Sequence, residues 1–300
     1  MRWTALLPHA LCALTSLASP VTPRQGPAPL VGPENGSLVI VGGNLQSDSI
    51  WQRIIAQAGG PDAPLVVVPT AGGEPSYGAN FSAAVSLRRL GARNVTVLHT
   101  YDPAEADTAA FTAPLRAARG VFFGGGRQWR LVDAYAGTQT EAALRAVLAR
   151  GGVVAGSSAG ASIMGSFLAR GDTASNTVLI GDHVVGFGYL KNTAIDQHVL
   201  VRNRHFDLLE ITRAHPELLG LAVDEDTALV VQGDVAEVIG STYAIVYDGT
   251  FWSREGEWER ELPAPDSRFY FLRAGDRYDL GARRVIEDSS AAAGGGIEEL

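Results

Sequence analysis

The chain is 300 residues long, 46% hydrophobic and 19% charged, enough apolar material to bury a full-sized core of the α/β type. Its 24 Lys and Arg against 32 Asp and Glu give a formal charge of -8, which excludes a basic face for gripping phosphate backbones, so no nucleic acid partner is expected. The single cysteine, Cys12, falls in a segment expected to be removed, which excludes disulfides and a thiol nucleophile from the mature chain.

Taken in chain order, Met1-Arg2 and the Ala/Leu-rich run to Leu17 predict a signal peptide over 1–18, with small residues Ser16 and Ala18 before a cut at Ser19. A secreted or periplasmic protein follows from it, and sequons at Asn35, Asn80 and Asn94 are candidate glycosylation sites. Residues 19–35, rich in Pro and Gly, read as a flexible leader. One catalytic α/β domain is expected over 36–286. Within it, β-branched runs at 38–41, 65–68, 95–98, 121–123 and 153–155 are separated by helix-length amphipathic segments at 47–58, 77–90, 103–119 and 138–150. Such continuous apolar strands separated by helices imply a mostly parallel sheet with helices on both faces. After Gly220, short runs at 228–231, 236–239, 244–247 and 269–272 read as antiparallel strands extending that sheet. Residues 287–300 form a low-complexity tail. No later segment approaches the ~18 to 20 apolar residues of a bilayer span.

Catalytic chemistry is suggested first by Gly156-Ser157-Ser158-Ala159-Gly160, which follows the strand at 153–155. A serine on a tight strand-to-helix turn has its hydroxyl lifted above the sheet edge, and flanking glycines are needed where a Cβ would collide. The next backbone N–H, from Ala159, then points at a developing oxyanion. Gly124-Gly125-Gly126 follows the strand at 121–123 and so lies at the same edge of the sheet, and the N–H groups of Gly125 and Gly126 are candidates to complete the oxyanion hole. Of the histidines, His198 stands out because Asp196-Gln197-His198 interrupts an apolar run at 194–200, and burying three polar groups without partners costs a few kcal/mol. His205 opens an expected helix at 202–214, where exposure alone accounts for it. The carboxylate needed to hold the imidazole tautomer is open among Asp172, Asp182, Asp196, Asp224, Glu225 and Asp226. The serine motif by itself also fits a general esterase, or a non-catalytic secreted binding protein on the same scaffold. No cofactor is implied, and no metal, because there is neither an H-E-x-x-H motif nor a thiolate cluster.

Four segments together carry a resemblance: Phe122-Phe123-Gly124-Gly125-Gly126-Arg127-Gln128, Gly156-Ser157-Ser158-Ala159-Gly160-Ala161, Asp196-Gln197-His198 and Asp224-Glu225-Asp226-Thr227-Ala228-Leu229. In this order they resemble the cyanophycinases and the related peptidase E aspartyl dipeptidases, serine peptidases on a class I glutamine-amidotransferase-like (flavodoxin-like) three-layer sandwich. The resemblance implies Ser158 as nucleophile, His198 as general base and Glu225 as acid, with Gln128, Asp196, Gln197, Arg202 and Arg204 around the substrate pocket. It implies a peptide substrate cleaved at aspartate-containing or β-aspartyl bonds, as cyanophycin is cleaved to β-Asp-Arg dipeptides, and a pairing of chains into homodimers. Arg202 and Arg204 suit bidentate carboxylate recognition. The order serine, histidine, acid differs from that of α/β-hydrolases. Two departures bear on the substrate: Arg127 stands where the family commonly has Asp, and Asp207 where it has a further basic residue.

Overall fold

A computed structural model describes residues 30–255 and 261–287; the expected signal peptide, residues 19–29 of the leader and residues 288–300 of the low-complexity tail lie outside them. In chain order the elements are β1 (Ser37–Val41), α1 (Asp48–Ala58), β2 (Leu65–Val68), α2 (Ser82–Arg89), β3 (Val95–Val97), α3 (Pro103–Ala106), α4 (Ala113–Ala117) and β4 (Gly120–Phe123). There follow α5 (Trp129–Tyr135), α6 (Gln139–Ala149), β5 (Val153–Ser157), α7 (Ala159–Ser162), β6 (Gly165–Phe167), β7 (Leu190–Gln197), α8 (Leu208–Ala214) and β8 (Leu219–Val223). The remainder is β9 (Thr227–Gln232), β10 (Val235–Gly240), β11 (Tyr243–Tyr247), β12 (Tyr270–Arg273), β13 (Arg277–Asp279) and β14 (Arg284–Ile286). No helix among the described residues is long and apolar enough to cross a membrane.

A nine-stranded sheet runs β14-β13-β10-β9-β1-β5-β4-β2-β3. The pairs among β1 to β5 are parallel, and β9, β10, β13 and β14 add antiparallel strands. The apolar runs are continuous because both faces are covered, as the alternation of side chains shows. Leu38, Ile40, Val66, Val68, Val121 and Phe123 enter one core, packed by Leu131, Tyr135, Leu144 and Val147. Their neighbours Val39, Val41, Leu65, Val67 and Phe122 enter another, covered by Ile50, Trp51 and Ile54 of α1 and by Ala83, Ala84 and Leu87 of α2. A strand whose odd and even residues are both buried must sit in the middle layer of three. This is the flavodoxin-like arrangement.

The C-terminal region departs from a single extended sheet. The runs at 228–231 and 236–239 do extend it, as β9 and β10, but those at 244–247 and 269–272 belong to a second, five-stranded sheet, β12-β11-β8-β7-β6. That sheet turns Ile195, Leu219, Leu221 and Val246 toward the first core, and Ala222, Ile245 and Tyr247 toward α8. Local differences have local causes. The segment at 103–119 holds two short helices, each opening near a proline, Pro103 and Pro114. The expected helix at 202–214 begins only at Leu208, because Asn203 takes the left-handed conformation (φ 53).

Candidate active site

Register brings the glycine turns together. In the parallel ladder Val41 pairs with Ser157 and Phe123 with Gly156, so the chain leaving β1 and the chain leaving β4 flank the chain leaving β5 at one sheet edge. Ser158 occupies the sharp turn between β5 and α7 with φ 58 and ψ -116, a conformation that a side-chain-bearing residue holds only when its surroundings dictate it. The dictation is visible. A Cβ on Gly156 would lie 2.3 Å from the Gly160 carbonyl oxygen, and one on Gly160 would lie 2.4 Å from that of Phe123.

The second sheet delivers the histidine. Gln197 of β7 pairs with Val223 of β8, so His198 and the 224–226 turn emerge side by side. That turn then crosses to the first sheet, where Ala228 of β9 pairs with Val41. His198 is held by its own N–H donating to the Gly42 carbonyl at 2.9 Å, and its ring lies flat against Gly43, whose φ is +141. A Cβ on Gly43 would sit 2.1 to 2.7 Å from three ring atoms. The outcome is a hydrogen-bond chain: Ser158 Oγ to His198 Nε2 at 2.9 Å, and His198 Nδ1 to Glu225 Oε1 at 2.6 Å. Asn44 donates to the other Glu225 oxygen at 2.9 Å.

The flanking acids do other work. Asp224 accepts the Leu200 and Val201 N–H groups, and Asp226 accepts from the Gln46 and Ser47 backbone and from the Ser47 and Ser241 hydroxyls. Asp172 accepts the Ala174 and Ser175 N–H groups, and Asp182 bonds Thr173 and His183. Burial pushes His198 below its ordinary value, with Arg202 adding to the shift and the Glu225 hydrogen bond opposing it. Burial works to raise Glu225, but hydrogen bonds from His198 and Asn44 outweigh it and hold the carboxylate below its usual range. A neutral imidazole between a hydroxyl and an ionised carboxylate can take the hydroxyl proton and stabilise the charge that results.

The expected oxyanion donors separate. The Ala159 N–H starts α7, where no preceding turn supplies it a carbonyl. Gly125 approaches closely enough that a Cβ there would be 3.3 Å from Ser158 Cβ and 3.7 Å from its Oγ. Gly126 instead turns the chain, with φ +142 and its α-carbon packed on the Ala71 carbonyl.

Around these, Gln128 is 1% exposed and donates to the Ala169 carbonyl at 2.6 Å. Asp196 was expected to border the pocket. It is instead 0% exposed and bonds Arg170 through both oxygens, at 2.8 and 2.9 Å, so it anchors Arg170 rather than facing a ligand. Arg170 also reaches Asp207 at 2.5 Å. Burial opposes its charge, but the paired carboxylates outweigh this and raise its pKa. Arg204 is buried against the Gln197 backbone and side-chain oxygens, and burial lowers its pKa. Arg202 is exposed and close enough to act on the charges of both His198 and Glu225. Arg127 donates to the Asp172 carbonyl. Sequence reasoning missed Gly42, Gly43, Asn44 and Arg170. The first three carried a signal, a glycine pair at a strand end, and Arg170 carried none.

A serine turn at the carboxyl edge of a flavodoxin-like sheet suits a serine hydrolase, and the family match makes it a serine-type peptidase. The chain belongs to peptidase family S51, whose model matches residues 38–239. It is 32% identical over 255 residues to the cyanophycinase of Geminocystis herdmanii, covering 81% of this chain and 93% of that protein. The cyanophycinase of Trichormus variabilis is 29% identical over 262 residues, 83% of this chain and 87% of that one. Among solved structures, a peptidase from an acI-B1 Actinobacterium superposes with TM-score 0.61 at 23% identity, covering 82% of this chain and 97% of that one. A peptidase E-like protein from Listeria monocytogenes gives TM-score 0.50 at 17% identity, over 69% and 99%.

Proposed function

We propose that the chain hydrolyses peptide bonds beside aspartate, β-aspartyl bonds included, by acyl transfer at Ser158. The observation that carries this reading is the unbroken chain from the Ser158 hydroxyl through His198 to Glu225, at 2.9 and 2.6 Å. In the mechanism, Ser158 attacks the carbonyl while His198 Nε2 takes its proton, and Glu225 steadies the imidazolium that forms. The Ala159 and Gly125 N–H groups stabilise the oxyanion. His198 then protonates the leaving amine, and water, activated by the same imidazole, releases the acyl group. Exposed Arg202 is the candidate for the substrate carboxylate. The cyanophycinase relatives support an aspartyl backbone as substrate class.

The test has two arms. A fluorophosphonate should label native protein and fail on Ser158→Ala; equal labelling of both would remove Ser158 from the mechanism. Cyanophycin, β-aspartyl dipeptides and α-aspartyl dipeptides, offered side by side and followed by mass spectrometry, should show release from at least one class. Turnover of p-nitrophenyl esters alone would point to an esterase.

We further infer a secreted protein. The side chains of Asn35, Asn80 and Asn94 are all on exposed residues, as glycan acceptors must be. The mass of the mature N-terminus tests cleavage before Ser19.

A further inference from the structure

Beside Ser158 lies a cavity of about 320 Å³ bounded by α1, α2 and the turns that follow β1, β4 and β5, and neither Arg202 nor Arg204 lines it. Gly125 and Ser157 form its near wall, and Trp51, Phe81 and Phe122 an aromatic one. Trp51 and Phe122 are 5% and 4% exposed and pack at a tilt with ring centroids 4.8 Å apart. Gln46, Ser82 and Ser86 supply the polar groups, and not one lining side chain is charged. Among the charged residues close in sequence to the lining, Asp48 is already engaged by Arg89.

The arginines contrast with this: Arg202 and Arg204 bear on the charge of His198 and take no part in the cavity lining. A scissile bond at Ser158 has a residue on each side. If the aspartyl carboxylate is met by exposed Arg202, its neighbour is left for the cavity.

We propose that this cavity is the subsite for the residue joined to aspartate across the scissile bond, and that it takes an uncharged side chain. The proposal rests on the aspartyl-peptidase reading above. A Lys, Arg, Asp or Glu side chain entering the cavity would surrender its hydration and find no counter-ion. A Leu, Met, Phe or Gln side chain packs its carbon on the aromatic wall, and a polar end meets Gln46, Ser82 or Ser86.

The experiment measures kcat/KM on α- and β-linked Asp-X dipeptides, with X as Leu, Phe, Gln, Arg, Lys and Glu. Neutral X should exceed charged X by about tenfold or more. Ser82→Asp and Ser86→Asp place a carboxylate in the cavity at surface-accessible helix positions, the first being a helix N-terminus that favours acid. Each should shift the Arg-to-Leu ratio toward Arg by about tenfold. Arg matching Leu in the native enzyme, or a ratio unmoved by both variants, overturns the subsite alone. No turnover of any aspartyl peptide by protein that still reacts with fluorophosphonate overturns the aspartyl reading and the subsite with it.

Discussion

Replacing Gly43 with Ala introduces one methyl group where the structure has an imidazole. The new Cβ would lie 2.1 Å from His198 Cε1, whereas ordinary carbon contacts begin near 3.4 Å, so the ring must retreat by about 1.3 Å. The ring is the movable partner, because it ends a side chain while Gly43 is fixed in the backbone. That retreat carries Nε2 out of hydrogen-bond range of Ser158, now 2.9 Å away. A displacement of this size at a general base costs on the order of 10²- to 10⁴-fold in rate. The backbone adds a cost of about 1–2 kcal/mol for a Cβ at positive φ, a Tm loss of a few degrees. Gly60→Ala is the control: its φ is +103 with nothing within 4 Å of the added Cβ, so it carries a backbone cost without touching the ring. The assay is the rate of fluorophosphonate labelling alongside calorimetric Tm. If Gly43→Ala stays folded and labels at the native rate, His198 is not held where this reasoning puts it.

Other substitutions test the remaining links. In Glu225→Gln the charge that opposes burial at His198 is lost, so the pKa already lowered from 6.5 falls further. Since the base acts when neutral, the acid limb of kcat/KM should move down by about one unit or more, with the plateau reduced on the order of 10²-fold or more; an unmoved limb would contradict the pairing. Ser158→Gly should abolish turnover yet raise Tm by a few degrees. Relief of the strained turn is worth about 1–3 kcal/mol, against about 0.5–1 kcal/mol for glycine's extra unfolded freedom, and a fall in Tm would show that the turn is unstrained. Asp196→Ala leaves Arg170, 2% exposed, with Asp207 as its remaining carboxylate. A loss of about 3–5 kcal/mol and roughly 10 °C is expected in thermal unfolding, and native stability would refute the anchoring role.

The centre of the first sheet was legible because β1, β2, β4 and β5 are buried on both faces and read as unbroken apolar runs. The same property hid the second sheet. Runs at 228–231 and 244–247 have the same texture, and which sheet each joins is decided by pairing with residues far away in sequence, Val39 for one and Ala222 for the other. Ser158 was readable because its turn needs glycines at fixed spacing. His198 was readable because polar residues interrupt an apolar run, but the inference that all three line the site failed at Asp196. Its cost of burial is met by Arg170, 26 residues upstream, a partner no local pattern announces. Gly43 was passed over because a glycine that receives a side chain from another sheet looks, in sequence, like any turn.

The chain crossing from β8 to β9 places the proposed reacting groups on separate sheets: Ser158 follows a strand of the first, His198 follows one of the second, and Glu225 rides the connection. During synthesis the serine emerges 67 residues before the acid, and β9 closes against β1 only when residues 227–232 are made. Until then a folding chain carries the serine without its completed hydrogen-bond chain, so under the proposed mechanism hydrolytic power arrives with the completed fold.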